Sequence, residues 1–212
     1  MSYSLKEIFF TLQGEGRQAG RAAVFARFAG CNLWSGREQD RASAPCWFCD
    51  TDFIGTDGPG GGKFTTATDL AAAVRTCWDE GGGPGGVPLV VFTGGEPMLQ
   101  LDDAAIDAVH AAGVSIAIET NGTIPVPRSI DWICVSPKPN SEVVQRSGDE
   151  LKLVYPHQVT PDEVADWDFT HFYLQPLDGP ERTAHTDACV AYCRAHPKWR
   201  LSLQTHKLIG IP

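Results

Sequence analysis

The sequence predicts an α/β fold, a partial and modified (β/α) barrel or curved open sheet with a shortened core. Three observations point there. Short apolar runs alternate with helix-period segments along the 212-residue chain, which is the pattern of βα units around a parallel sheet. The runs are too few for an eight-unit barrel. Residues able to do chemistry gather just after the runs, where such folds place their sites.

Taken in order, Ala22–Ala29 reads as a strand that stops at Gly30 and Cys31. Leu70–Trp78 reads as a helix, with Thr68 as its N-cap. Leu89–Thr93 is a nearly continuous apolar strand ending at a double glycine. Asp102–Ala112 is helical, with Ala105, Ile106 and Val109 on one face. Ser115–Glu119, Trp132–Val135, Leu151–Tyr155 and His171–Leu174 are further strands. Thr183–Ala195 is a helix, and Leu201–Thr205 a last strand. The glycine-rich pieces Gly58–Gly62 and Gly81–Gly86 lack phosphate-loop spacing and read as flexible surface loops.

The length suits one domain spanning 1–212, and 42% apolar residues place it among globular chains. The net charge of −9 argues against nucleic acid, whose backbone calls for a basic face. A small-molecule ligand is expected instead. The segment MSYSLKEIFFTLQGEG contains no signal peptide and no membrane span. A cytoplasmic location is the resulting expectation.

Seven cysteines in a reducing compartment are thiols or ligands rather than disulfides. Cys77 and Cys134 sit in apolar patterns and read as core. Cys189 and Cys193 share a helix face and read as buried thiols. His157, His171, His185 and His196 show no ligand spacing. The remaining three differ. Cys31, Cys46 and Cys49 form a C-x14-C-x2-C set in one loop, about 31–49. Free thiols, a zinc site and an iron–sulfur cluster compete as readings. Zinc wants a fourth protein ligand, and the loop holds no histidine. Three thiolates can hold a [4Fe–4S] cluster with one iron open to an outside ligand, and Trp47 and Phe48 would screen it from solvent. Downstream, Gly94–Gly95–Glu96–Pro97 follows a strand. Its glycines permit close backbone approach, and Glu96 can accept a hydrogen bond from a ligand ammonium.

An ordered series of motifs then resembles radical S-adenosylmethionine (SAM) enzymes, and among them the 7-carboxy-7-deazaguanine synthase family. The motifs are Phe10–Gly16 (FTLQGEG), Arg27–Cys31 (RFAGC), Cys46–Thr51 (CWFCDT), Gly94–Pro97, Glu119–Gly122 (ETNG), Ser136–Lys138 (SPK) and Gln175–Asp178 (QPLD). They cover nearly the whole chain. The first cysteine gap is three residues in most radical-SAM enzymes. Here it is stretched by Asn32–Pro45, a lengthening that variants of this family share. A glycyl-radical activase would lack FTLQGEG, and a zinc interaction module would need neither GGEP, SPK nor QPLD.

The resemblance implies a radical ring contraction of 6-carboxy-5,6,7,8-tetrahydropterin to 7-carboxy-7-deazaguanine with loss of ammonia, on the route to queuosine and other deazapurines. It implies a [4Fe–4S] cluster on Cys31, Cys46 and Cys49, with Mg2+ on Thr51 and Asp50 behind it. It implies SAM at Phe48, Cys49, Asp50, Gly95, Glu96, Ser136, Pro137, Lys138, Gln175, Pro176, Leu177 and Asp178. Substrate contacts carried over are Leu12, Gln13, Gly14, Glu15, Arg27, Thr93, Glu119 and Pro212, with the tail His206–Pro212 closing over the ligand. No side chain abstracts the hydrogen, since the 5′-deoxyadenosyl radical made from SAM does so. A flavodoxin or ferredoxin electron donor and a homodimer complete the expectation.

Overall fold

The computed structural model describes residues 2–82 and 85–212. Nine strands form one sheet: β1 (Tyr3–Leu12), β2 (Ala22–Phe28), β3 (Gly62–Phe64), β4 (Leu89–Gly94), β5 (Ser115–Thr120), β6 (Trp132–Val135), β7 (Ser147–Tyr155), β8 (Asp168–Pro176) and β9 (Trp199–Leu201). The spatial order is β3-β1-β2-β4-β5-β6-β7-β8-β9. The run from β2 to β9 is parallel, while β1 pairs antiparallel with both β2 and β3. Four helices accompany it: α1 (Ala67–Gly81), α2 (Asp103–Ala111), α3 (Arg182–Ala195) and α4 (Thr205–Ile209).

The parallel strands alternate strictly between two environments. Val24, Ala26 and Phe28 of β2, Val90 and Phe92 of β4, and Ile116 and Ile118 of β5 pack against α1 and α2 in one core. Leu151 and Leu153 of β7, and Phe172 and Leu174 of β8, join Cys189 and Trp199 in a second core. The intervening residues face inward. Deep inside they are apolar, as with Ala23, Val91 and Ala117. Toward the strand ends they turn polar: Arg27, Thr93, Glu119, Lys152 and Gln175 line a cleft.

The sheet curls strongly. From β1 to β7 is five strand steps, about 24 Å if flat at ~4.8 Å per step. Yet Glu15, three residues past β1, is ion-paired to Lys152 on β7. The sheet is open, with β3 and β9 at its edges. The shortened core has a visible cause in the connections β5–β6 and β6–β7, which carry no helix.

Several expectations change. Thr66, not Thr68, caps α1: its hydroxyl accepts from Asp69 N while the Asp69 carboxylate accepts from Thr66 N. That reciprocal box places the cap two residues earlier and the first helical residue at Ala67. The last strand is Trp199–Leu201, and Thr205 opens α4, which ends at Gly210 in the left-handed conformation (φ 71°). β1 and β3 appear where no strand was expected. Gly58–Gly62 is no free loop. It is pinned to β1 by Gly58 N to Lys6 O (2.9 Å) and Ile8 N to Pro59 O (2.8 Å), beside the register shift between Leu5 and Glu7. A Cβ on Gly61 would lie 2.1 Å from Lys6 O, so glycine serves close packing there. Of Gly81–Gly86, Gly83 and Pro84 lie outside the described residues. No helix among the described residues is long and apolar enough to cross a membrane.

Candidate active site

The cleft, of about 380 Å³, opens at the C-terminal ends of the parallel strands. At one end stand Cys31, Cys46 and Cys49, all lining it and none in a disulfide. Cys31 follows β2, and its sulfur accepts from Leu33 N. Cys46 and Cys49 are joined by a turn, Cys49 N to Cys46 O at 3.0 Å. Arg41, from the Asn32–Pro45 insertion, pins that turn. Its guanidinium donates to the carbonyls of Trp47 and Cys49 (2.9 Å each) and to Glu38 (2.7 Å), and it stacks on Trp34 at 4.2 Å. Trp34 is buried against Phe53, so the insertion has a small core of its own.

The Gly94–Gly95–Glu96 turn is laced to this loop by Gly95 N to Phe28 O and Glu96 N to Gly30 O (3.2 and 2.9 Å). A Cβ on Gly95 would sit 1.9 Å from Gly30 O and 3.0 Å from the Cys31 Cβ. The glycine therefore brings two loops together. Glu96 departs from expectation: it is fully buried and does not line the cleft. Its oxygens accept from Met98 N (3.0 Å), Thr120 Oγ1 (2.8 Å) and Asn121 N (2.8 Å). Burial raises its pKa, and those three donors oppose the rise. Glu96 holds the turn and the end of β5 together.

Phe48 faces the cleft and packs on His157, ring centroids 4.4 Å apart. Trp47 is 47% exposed and lies outside the cleft lining, so it does not screen that end. The buried Nε2 of His157 has no partner among the described residues. Ser136 and Lys138 line the cleft, Lys138 donating to Ser136 Oγ at 2.7 Å, while Pro137 is buried behind them. Gln175, Pro176, Leu177 and Asp178 continue the wall. The Gln175 amide is engaged from both sides, donating to Glu15 (3.1 Å) and accepting from Ser202 (3.2 Å). It supports Glu15 from β8.

Asp50 and Asp178, expected at the magnesium and SAM, both bind Lys207 of α4 at 2.5 and 2.6 Å. Burial pushes the Asp50 carboxyl up, but Lys207 outweighs it and holds it below the usual range. Asp178 is lowered by its hydrogen bond to Lys207. Thr51 lines the cleft beside them.

At the other end Leu12, Gln13, Gly14, Glu15, Arg27, Thr93, Glu119 and Pro212 all line the cleft. Gln13 donates to Glu119 (3.0 Å) and accepts from Glu15 N (3.1 Å). Arg27 donates through Nε to Glu7 at 2.8 Å. Thr205 N donates to Gly14 O (3.0 Å), and Thr11 Oγ1 to Pro212 O (2.9 Å). A Cβ on Gly14 would meet the His206 ring at 2.1 Å. The tail therefore lies over the cleft.

One site residue escaped the sequence reading, and another was read only as part of the closing tail. Lys152, 5% exposed, donates to Glu15 and stands 3.3 Å from Glu119. His206 faces the same group from α4. Lys152 interrupts the apolar run LKLVY, as Arg27 interrupts AVFARFA. His206 belongs to the tail that the resemblance places over the ligand. Cys134, expected in the core, is buried but faces this cluster, 3.7 Å from Glu150.

A curled parallel sheet, three free cysteines on one cleft and a glycine turn against them define a radical-SAM enzyme. The chain is 67% identical to the 7-carboxy-7-deazaguanine synthase of Caulobacter vibrioides and 64% to that of Bordetella pertussis, each over the full length of both chains. A crystal structure of QueE from Escherichia coli superposes with a TM-score of 0.72 at 27% identity, covering 97% of this chain and 95% of the other. No family model matches. The chain belongs to the 7-carboxy-7-deazaguanine synthase family. Membership implies a radical-SAM [4Fe–4S] cluster and SAM, and a place in 7-deazapurine biosynthesis.

The residues fit such a cluster in kind: three free thiols line one end of the cleft, and thiolates are the ligands that iron–sulfur clusters use. Burial pushes the Cys31 thiol up and that of Cys46 to about 11. Ligation must therefore supply the drive to deprotonate them.

Proposed function

We propose that this chain, working as one domain over 1–212, converts 6-carboxy-5,6,7,8-tetrahydropterin to 7-carboxy-7-deazaguanine. The single observation that carries the reading is the juxtaposition of the cysteine set with the Glu15–Lys152–Glu119 group across one cleft. Substrate and product differ by one ammonia, so no net oxidant is required.

Cys31, Cys46 and Cys49 would hold the cluster, and its open iron would take SAM. When bound, the pair supplies a 5′-deoxyadenosyl radical that removes a substrate hydrogen atom. The protein's part is to place that C–H bond and keep water away. Glu15, Glu119 and Gln13 suit the donor-rich pyrimidine edge of a pterin. The free face of the Arg27 guanidinium, oriented by Glu7, suits the substrate carboxylate. Thr93 and Pro212 bound the ring.

The wall of Ser136, Lys138, Pro176 and Leu177, with Phe48 and the backbone of Gly95, suits SAM. Asp50 and Asp178 support that wall through the tail. Thr51 beside substrate oxygens suits Mg2+, which keeps several waters. The reading further includes a flavodoxin-type donor, a homodimer and a cytoplasmic location, the last supported by seven unpaired cysteines. Anaerobic reconstitution with iron and sulfide, followed by an assay with product identified by mass, tests the proposal. Deazapurine formation is expected. SAM cleavage with the carboxytetrahydropterin left intact would overturn the substrate assignment.

A further inference from the structure

We propose that Lys152 is a positioning residue for this reaction, tying Glu15 and Glu119 together and aiming both so that they receive the pyrimidine edge of the substrate. The proposal rests on the pterin reading above and adds a residue that no motif marks.

Three elements meet at Lys152. It projects inward from β7 between Leu151 and Leu153, which face the second core. Its ammonium reaches Glu15, on the loop after β1, and Glu119 at the end of β5. An ammonium carries three donors and a carboxylate none, so Lys152 can serve both acids while each keeps lone pairs free. Those lone pairs are what a pterin edge, rich in N–H groups, needs. Without Lys152, burial would push the Glu15 carboxyl up, toward its neutral form.

Other charged and titratable groups surround the triad. Glu150 lies on the same strand and spends one oxygen on Arg17 N (2.9 Å). Cys134 faces in from β6, and His206 from α4. Burial pushes Glu150 and Cys134 up, toward their neutral forms. For Glu15, burial also pushes up, but Lys152 by charge and hydrogen bond outweighs it, and the carboxyl sits below its usual value. Burial would lower the Lys152 ammonium; Glu119 and Glu15 outweigh that and hold it charged. Gln13 and Gln175 complete the frame, each bonding one of the two acids. A lysine present merely to fill space would not need two acids from two other elements.

The test is substrate affinity against pH in Lys152→Met. Holoenzyme carrying SAM is kept without reductant, so that no turnover occurs, and 6-carboxytetrahydropterin is titrated from pH 6 to 9. Wild type reports the ligand's own titration and serves as the reference. In the variant, the buried Glu15 carboxyl loses its counter-charge and takes up a proton more readily. The ratio of variant to wild-type Kd should then climb as pH falls, approaching about tenfold per pH unit below the new pKa. In Lys152→Met/Glu15→Gln that titrating carboxyl is gone, and the ratio should become independent of pH. A ratio that is flat in Lys152→Met itself overturns the proposal. Should Lys152→Met not fold, the double variant decides: a pH-dependent ratio there overturns it equally. Failure of wild type to bind the pterin would instead defeat the substrate reading, a distinguishable outcome.

Discussion

Glu96→Gln separates two jobs that the GGEP turn can do. The carboxylate accepts three hydrogen bonds with no exposure to solvent. An amide has one acceptor oxygen and one donor NH2. If its oxygen takes the place facing Met98 N and Thr120 Oγ1, the NH2 confronts the N–H of Asn121. If it is flipped, the NH2 confronts Met98 N instead. Either way one buried backbone donor is left unpaired, at a cost of about 1–3 kcal/mol. For a chain of this size each kcal/mol lowers Tm by about 2–4 °C, so the expected fall is about 2–12 °C. Thermal unfolding of the variant measures it, with SAM binding followed in parallel. Unchanged Tm together with abolished SAM affinity would refute the reasoning, because it would put the carboxylate on the ligand instead of in the turn.

Four further outcomes follow from the geometry. Gly95→Ala must open a 1.9 Å approach to Gly30 O; SAM cleavage should fall about 100-fold, while Gly62→Ala, with nothing within 4 Å, should match wild type. Arg41→Ala removes two carbonyl contacts from the cysteine turn, so iron content per chain should drop, and Arg41→Lys should restore little because an ammonium lacks the planar fork. Arg27→Lys keeps the charge but loses that fork, and the substrate Kd should rise about tenfold or more, read by titration without reductant. The Lys207 ion pairs should hold α4 steadily across neutral pH. The depressed pKa values of Asp50 and Asp178 make their contribution complete above about pH 4, lost only in acid, while the raised Lys207 value keeps it until well into alkali. Hydrogen-exchange protection of residues 206–209 should therefore be flat from pH 5 to 9 and should collapse in Lys207→Met.

The sheet was legible where one strand face is packed under helices and the other is apolar at depth. β2, β4 and β5 are such strands, and their expected bounds fall within a residue of the observed ones; those of β6 coincide. β1 escaped because its pairing shifts between Leu5 and Glu7, which breaks the alternation a half-buried strand would show. β3 has three residues and owes its existence to β1. α4 has five, and tertiary contacts hold it, notably Thr205 N on Gly14 O and Lys207 between two aspartates. In the site, motifs marked which residues converge but not what each touches. The motifs marked Glu96 and Gln175 but not the internal hydrogen bonds that each makes in the fold. Lys152 shows the reverse. Its position inside an apolar strand carried the information, and weighing every charge inside such a run would have found it.

The curl of the sheet is held differently from that of a closed barrel. A closed barrel is sealed by ladder hydrogen bonds along its whole length, and admitting a ligand sideways would mean unzipping main chain. Here the span from β1 to β7 is bridged by side chains, chiefly the Lys152 ammonium on Glu15, with Arg17 N on Glu150 beside it. The fastening works like a clasp on an open bracelet. It can part while every strand keeps its neighbours, and the charges that fasten it are those the proposed substrate would engage.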